Sequence, residues 1–279
     1  MIDKIYIPTL GRSDNQITYN TFPQKWKDIV VMVIQKHEVG LYDYPCEYHI
    51  VDDNIGIAKT RELIYYLAGK SRYIIIDDDI TFKRRNAKYY NKESNMEKSK
   101  RFATEEEILS MYEIMDKWLD EKDIGVIGLS DAGIPPQSSY YEDTRGVYSY
   151  IFHDGRMLSK VIDDMDITSI RIAEDVLFLF EVLSRGINTR KATEWLYENQ
   201  SLFDKTLQES RLVWTAMFDK NDQPENYYQT DLHMDAIKYI QSKYPHALKI
   251  SEKDGKIKNT KYWKKAYKPS GETSLESFF

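Results

Sequence analysis

The segment that most constrains this chain is Tyr73-Ile74-Ile75-Ile76-Asp77-Asp78-Asp79. An unbroken apolar run rich in β-branched residues has no polar face to offer water, so it predicts a strand buried on both sides, as in the parallel part of an α/β sheet. Carboxylates that follow directly stand at the strand's carboxyl edge, where open α/β sheets bind ligands. Two aspartates one residue apart along an extended chain point the same way, and their hard oxygens select Mg²⁺ or Mn²⁺. Such a pair bridges a cation to a diphosphate. Taken alone, the cluster fits a solvated strand end with a turn cap equally well.

The surrounding pattern supplies the sheet. Lys4-Ile5-Tyr6-Ile7, closed by Pro8, Ile29 to Ile34, and Tyr48 to Val51 read as strands. From Gly56 the period changes to helical, with Ile57, Leu63, Ile64 and Leu67 on one stripe and Gly69 at the C-terminus. Strand, helix, strand in that rhythm predicts a right-handed βαβ unit. Residues 83–101 lack periodicity and read as a basic loop. Thr104 and Glu107 form a capping box before the stripe Ile108, Met111, Tyr112, Met115, Trp118 and Leu119. Ile124 to Leu129 and Tyr148 to Phe152 are further strands, the second facing the acceptor side. Glu174-Asp175 opens an apolar helix, Val176 to Leu183, closed by Arg185-Gly186. Helical patterns cover 198–217 and 231–243, the latter stopping before Pro245. The fold class is α/β, a mixed, mostly parallel sheet flanked by helices. Residues 1–190 are its core, and 191–279 a helical, basic C-terminal extension packed on it.

Charge is unevenly spread. The 279 residues hold 39 Lys+Arg against 45 Asp+Glu, a net of −6. Residues 83–101 nevertheless carry +6 and residues 243–268 carry +7, which leaves −19 for the rest. Basic surfaces on an acidic body attract polyanions. The second segment also interleaves aromatics with lysines, as in Tyr262-Trp263-Lys264-Lys265 and Tyr267-Lys268, a composition that can stack bases while holding a backbone. A solvated lysine-rich end is the plainer alternative. No apolar run approaches the roughly 18 residues of a membrane span. The opening Met-Ile-Asp-Lys enters a strand at once, without the pattern of a secretion signal, and Cys46 is the only cysteine. A cytoplasmic protein with no membrane and no obligate protein partner is expected.

Three neighbours change the reading of the aspartates. In Gly56-Ile57-Ala58-Lys59-Thr60-Arg61 a glycine opens a helix and an arginine follows a turn later, so helix amides and a guanidinium are available to phosphate oxygens. Pro8-Thr9-Leu10-Gly11-Arg12 follows the first strand. Glu174-Asp175 stands at a helix N-terminus, where the macrodipole stabilises carboxylates and where a general base could take a hydroxyl proton.

Together, and in this order, the four elements resemble a GT-A glycosyltransferase over roughly residues 4–186. The details Ile-Tyr-Ile-Pro-Thr-Leu-Gly-Arg, Gly-Ile-Ala-x-x-Arg and Asp-Asp-Asp-Ile-x-Phe, ending at Phe82, narrow this to a resemblance to the TET-associated glycosyltransferases, phage-encoded enzymes implied to place sugars on 5-hydroxymethylpyrimidines in DNA. The resemblance implies a nucleotide-sugar donor, UDP-linked by preference, and Mn²⁺ or Mg²⁺ held by Asp77 and Asp79 with Asp78 between them. It implies that Thr9, Arg12 and Arg61, with Asp77 and Asp78, contact the donor, and that Asp175 is the base or the acceptor-orienting carboxylate, with Glu174 beside it. A third metal ligand often comes late in such chains as a histidine, which singles out His233 and His246, while His153 lies on the acceptor-side strand. Family-2-like enzymes often carry Asn after the helix arginine; Glu62 stands there instead, so no donor contact is carried to it. The implied partner is DNA containing a hydroxymethylated pyrimidine, foremost 5-hydroxymethylcytosine, with Lys83, Arg84, Arg85, Lys264 and Lys265 on its backbone, in the cytoplasm of an infected host cell. The alternative is a GT-A enzyme acting on a polysaccharide, lipid or protein. A nucleic-acid-binding protein with an inactive sheet domain is a different class, against which the intact Asp triple and Glu174-Asp175 argue.

Overall fold

A computed structural model describes residues 1–86, 99–135, 139–200, 231–253 and 256–269. The strands are β1 (Lys4–Pro8), β2 (Val30–Gln35), β3 (Glu47–Val51), β4 (Arg72–Ile76), β5 (Ile80–Arg85), β6 (Lys100–Phe102), β7 (Ile124–Asp131), β8 (Tyr141–Asp143), β9 (Tyr150–Asp154), β10 (Asn188–Asn199), β11 (Leu248–Lys253) and β12 (Lys256–Lys261). The helices are α1 (Ile17–Thr21), α2 (Gln24–Lys27), α3 (Gly56–Ala68), α4 (Glu105–Trp118), α5 (Gly155–Leu158), α6 (Glu174–Ser184), α7 (Asp231–Lys243) and α8 (Trp263–Ala266).

Ten strands form one sheet in the order β3-β2-β1-β4-β9-β7-β10-β5-β6, with β8 added on β10. From the pairings, β1, β2, β3, β4, β6, β7 and β10 run one way and β5, β8 and β9 the other. The sheet is mixed and mostly parallel, the GT-A arrangement that the resemblance implies. Strand period divides the core in two. Ile5, Ile7, Ile74 and Ile76 face Trp26 and the α4 stripe of Ile108, Met111, Tyr112 and Met115. Tyr6, Tyr73 and Ile75 face Ile64, Tyr65 and Ala68 of α3 and Phe178, Leu179 and Val182 of α6. Each such side chain withdrawn from water contributes about 1.5–3 kcal/mol, which holds β4 and its carboxylate end at the centre of the layers. A helix apolar all round needs cover on every side. The second side of α6, with Leu177, Phe180 and Leu183, accordingly packs against Ala236, Ile237 and Ile240 of α7.

Four expectations change. Residues 83–85 complete β5 and 100–102 form β6, paired as a hairpin, so the ends of the basic stretch are strand rather than loop; 87–98 lie outside the described residues. The expected helix over 198–217 starts in strand, because β10 runs to Asn199; 201–230 lie outside the described residues. A domain boundary at 190 falls inside β10, which is paired on both sides, so the sheet continues to Asn199. The described residues of the lysine-rich segment pack on the core: β11 and β12 pair antiparallel, and the Trp263 ring packs 4.7 Å from Phe180, committing one face to the protein. Among the described residues no helix is long and apolar enough to cross a membrane.

The capping box is present, with Thr104 Oγ1 accepting from the Glu107 amide and Glu107 accepting from the Thr104 amide. Hydrogen bonds from Arg101 first, then from the Thr104 amide and Arg84, hold the Glu107 carboxyl well below its usual range. A carboxyl lowered on folding stabilises the protein above its unfolded value, about 4.3, and that contribution fades as pH falls through the folded value. Glu107→Gln is therefore expected to reduce stability at pH 7 and to flatten its decline between about pH 5 and 3, read by urea denaturation. Parallel declines for both proteins would remove Glu107 from the acid response.

Candidate active site

The turn from β4 to β5 is fixed through its backbone before any side chain is considered. Thr18 Oγ1 donates to the Asp77 carbonyl at 2.6 Å and accepts from the Ile80 amide at 2.8 Å. The Thr18 amide donates to the Asp78 carbonyl, the Asp77 amide to Ser149, and the Gln200 amide to the Asp79 carbonyl. A buried hydroxyl serving both ends of the turn leaves it no freedom to flex, since an unmade buried bond costs about 1–3 kcal/mol.

The three aspartates then diverge. Asp78 turns inward, accepting from Thr9 Oγ1 at 2.6 Å and pairing with Arg12 at 2.8 Å. Burial pushes its carboxyl up to about 7, with Arg12 opposing the shift. Arg12 also approaches Asp79, at 3.5 Å. Thr9, expected on the donor, is completely buried, takes a hydrogen bond from Gln16 at 2.7 Å and does not line the cavity. Its role here is to position Asp78, because it has no surface to offer a ligand. Asp77 accepts from Arg61 at 2.9 Å, and the same guanidinium reaches Glu174 at 2.5 Å. One arginine on α3 thus joins the end of β4 to the start of α6.

Two non-glycine residues here adopt the left-handed conformation, Ser149 at φ 58° and Ala173 at φ 58°. Such backbone costs of order 1–3 kcal/mol and persists only where surrounding contacts enforce it. The Ala173 turn presents Glu174 and Asp175 together at the N-terminus of α6. Burial raises both carboxyls, with Arg61 the main opposing influence. Asp175 Oδ1 takes its bond from the Val176 amide at 2.7 Å. A carboxylate that binds protons more readily than usual is suited to accept one.

These groups share one cavity of about 150 Å³, lined by Arg12, Arg61, Arg171, Asp77, Asp78, Asp79, Glu174 and Asp175, with Ser149 and Asn199. Five carboxylates against three guanidiniums leave a formal surplus of two negative charges, which one divalent cation balances. Among the described residues no three His, Cys, Asp or Glu side chains gather as a metal cage. The divergence of Asp77 toward Arg61 and Asp78 toward Arg12 accounts for that. The hard oxygen set suits Mg²⁺ or Mn²⁺, which bind through one or two carboxylates plus substrate phosphates.

The structure brings Arg12, Arg61, Asp77, Asp78, Asp79, Glu174 and Asp175 to one cavity. It does not bring the histidines there. His233 on α7 lies in the field of Asp175 and Lys261, His246 is exposed in the turn after α7, and His153 is completely buried and stacked 4.7 Å from Tyr73. Neither His233 nor His246 completes a metal set with Asp77 and Asp79, because neither lines their cavity. The first basic cluster is largely satisfied internally: Lys83 pairs with Glu198 at 2.5 Å, Arg84 with Glu107 at 2.7 Å and with Glu194, and Arg85 is buried and donates to the Ile134 carbonyl at 2.5 Å. Lys264 and Lys265 are exposed. Sequence reasoning missed Arg171, Ser149 and Asn199. Only Arg171 carried a signal, a cation three residues before Glu174.

Thr18→Val removes the hydroxyl that closes the turn and leaves two backbone groups unpaired. It is expected to cost about 2 kcal/mol in urea denaturation. An unchanged midpoint would contradict the role given to Thr18.

Among solved structures, S. aureus TarS 1–349 is 12% identical, covering 93% of this chain and 96% of that one at a TM-score of 0.46; TarS in complex with UDP gives 13% and 0.43. The mannosyltransferase PcManGT from Pyrobaculum calidifontis, in complex with GDP-Man and Mn²⁺, is 10% identical, covering 85% and 69% at a TM-score of 0.41. These values are too low to assign function. No curated protein matches the chain. The family described as TET-Associated Glycosyltransferase matches residues 3–196, from β1 to within three residues of the end of β10. The chain belongs to that family and is a glycosyltransferase.

Proposed function

We propose that the enzyme moves a sugar from a nucleotide sugar, UDP-linked by preference, to the hydroxyl of a 5-hydroxymethylpyrimidine in DNA, foremost 5-hydroxymethylcytosine. The observation that carries the donor half is the single cavity where Arg12 and Arg61 lie among five carboxylates with a surplus of two negative charges. The family's description supports the DNA half.

In this reading Asp77 and Asp79 would hold the divalent cation. The cation would supply Lewis-acid stabilisation of the departing diphosphate. Arg12 and Arg61 add positive charge beside the same oxygens, and fixed charges in a buried site lower a barrier without reorganising. Arg171, at the cavity, is a further diphosphate contact. Asp175 accepts the proton of the acceptor hydroxyl. The freed oxygen bonds to the anomeric carbon, the bond from that carbon to the diphosphate oxygen breaks, and the electron pair leaves with the nucleoside diphosphate. Glu174, tied to Arg61, keeps the guanidinium in place.

The test is incubation with nucleotide sugars, Mn²⁺ or Mg²⁺ and hydroxymethylated DNA, followed by mass analysis of the nucleosides. Added sugar mass on the modified pyrimidine is expected, whereas transfer only to another acceptor would refute the reading. Asp175→Asn is expected to lower transfer about 100-fold or more while UDP binding stays unchanged. Full transfer by that variant would remove Asp175 from the chemistry.

A further inference from the structure

Next to the donor cavity lies a larger one of about 400 Å³, inside the roughly 300–1,000 Å³ range of small-ligand pockets. Its walls include Tyr197 of β10, Tyr148 before β9, Trp263 of α8, and Asp131, Lys191 and Lys261. β10 shifts register against β7 between Ala192 and Leu196, and the shift sets Tyr197 opposite Asp131. Gly146 is part of the same wall: a Cβ there would lie 2.5 Å from the Tyr148 hydroxyl and 2.7 Å from Trp263 Cζ2. Only a residue without a side chain admits both rings at that approach.

The two cavities are neighbours. Ser149, which lines the donor cavity, follows Tyr148 in the chain. Asn199, which also lines it, is two residues beyond Tyr197 on one strand and so shares its face, roughly 7 Å away. Lys261, Tyr148 and Tyr197 all lie in the electrostatic field of Asp175. A group held in the second cavity therefore lies in the field of the Asp175 carboxylate.

The lining describes the occupant. Aromatic faces suit a planar ring, and base–aromatic stacking contributes about 1–3 kcal/mol per base. Asp131 accepts hydrogen bonds while Lys191 and Lys261 donate them, complementary to a pyrimidine edge that carries both kinds. Just outside, Lys264 and Lys265 follow Trp263 and are exposed. Cations at the rim match a phosphate backbone, which an uncharged glycan lacks. We propose that this second cavity receives the pyrimidine ring of a hydroxymethylated nucleotide taken out of its stack, with its hydroxymethyl oxygen directed toward Asp175. The inference rests on the DNA acceptor reading above and assigns that acceptor a place.

The experiment uses the full chain loaded with UDP and Mn²⁺. Anisotropy measures binding of a labelled single-stranded oligonucleotide with one 5-hydroxymethylcytosine, and calorimetry measures UDP binding, for wild type, Tyr197→Leu, Asp131→Asn and Lys261→Met. The expected result is oligonucleotide binding weaker by about tenfold in Tyr197→Leu, and by several-fold in the other two, with UDP affinity unchanged in all. Should Tyr197→Leu fail to fold, the other two variants decide. Wild-type transfer to DNA together with unaltered oligonucleotide binding in the folded variants would overturn the cavity and leave the DNA reading standing. Wild-type protein that neither binds nor glycosylates the oligonucleotide, while glycosylating a glycan, would overturn both.

Discussion

The Arg61 guanidinium is the joint on which the site depends. It bonds Asp77 at the end of β4 and Glu174 at the start of α6, residues that no local rule brings together. Burial pushes the Glu174 and Asp175 carboxyls up, and the arginine opposes that shift at both. Removing one partner of a buried charge pair leaves the other uncompensated, at about 3–5 kcal/mol, so the Asp77 turn and the start of α6 are energetically one unit. Arg12 does the same for Asp78 on the opposite side of the turn.

That unit needs a rigid frame, and the layered core provides it. β4 is paired on both sides, by β1 and β9, and its side chains alternate between two apolar layers. α6 is covered on its second side by α7 and by Trp263. The C-terminal segment therefore has a structural part in the site: it closes α6 and carries Lys261 to the field of Asp175. Packing demands on an apolar helix explain why Trp263 and Tyr267 pack against the protein's own core.

What was legible in the sequence were features whose cause is local. Ile74 to Ile76 followed by three aspartates, the helical stripe after Gly56, the Thr104–Glu107 box and the acidic start of α6 each declare themselves within a dozen residues. Features set by distant partners were not legible. Arg84 read as a free surface base because its carboxylate partners, Glu107 and Glu194, lie 23 and 110 positions away. Thr9 read as a ligand contact because nothing nearby reveals that Asp78 turns inward to it. The fate of β10 was hidden by its length and by the register shift after Ala192. Lys261 belongs to no motif, and only the folded chain brings it into the field of Asp175.

On the proposed function, the surplus negative charge around Arg61 seats a divalent cation and a nucleoside diphosphate together. Calorimetric titration of UDP, with and without Mn²⁺, into wild type and Asp79→Ala tests it most directly. The account predicts UDP binding to wild type that requires Mn²⁺ and is lost in Asp79→Ala, with cooperative unfolding retained. Equal UDP affinity in both proteins, indifferent to Mn²⁺, would contradict it.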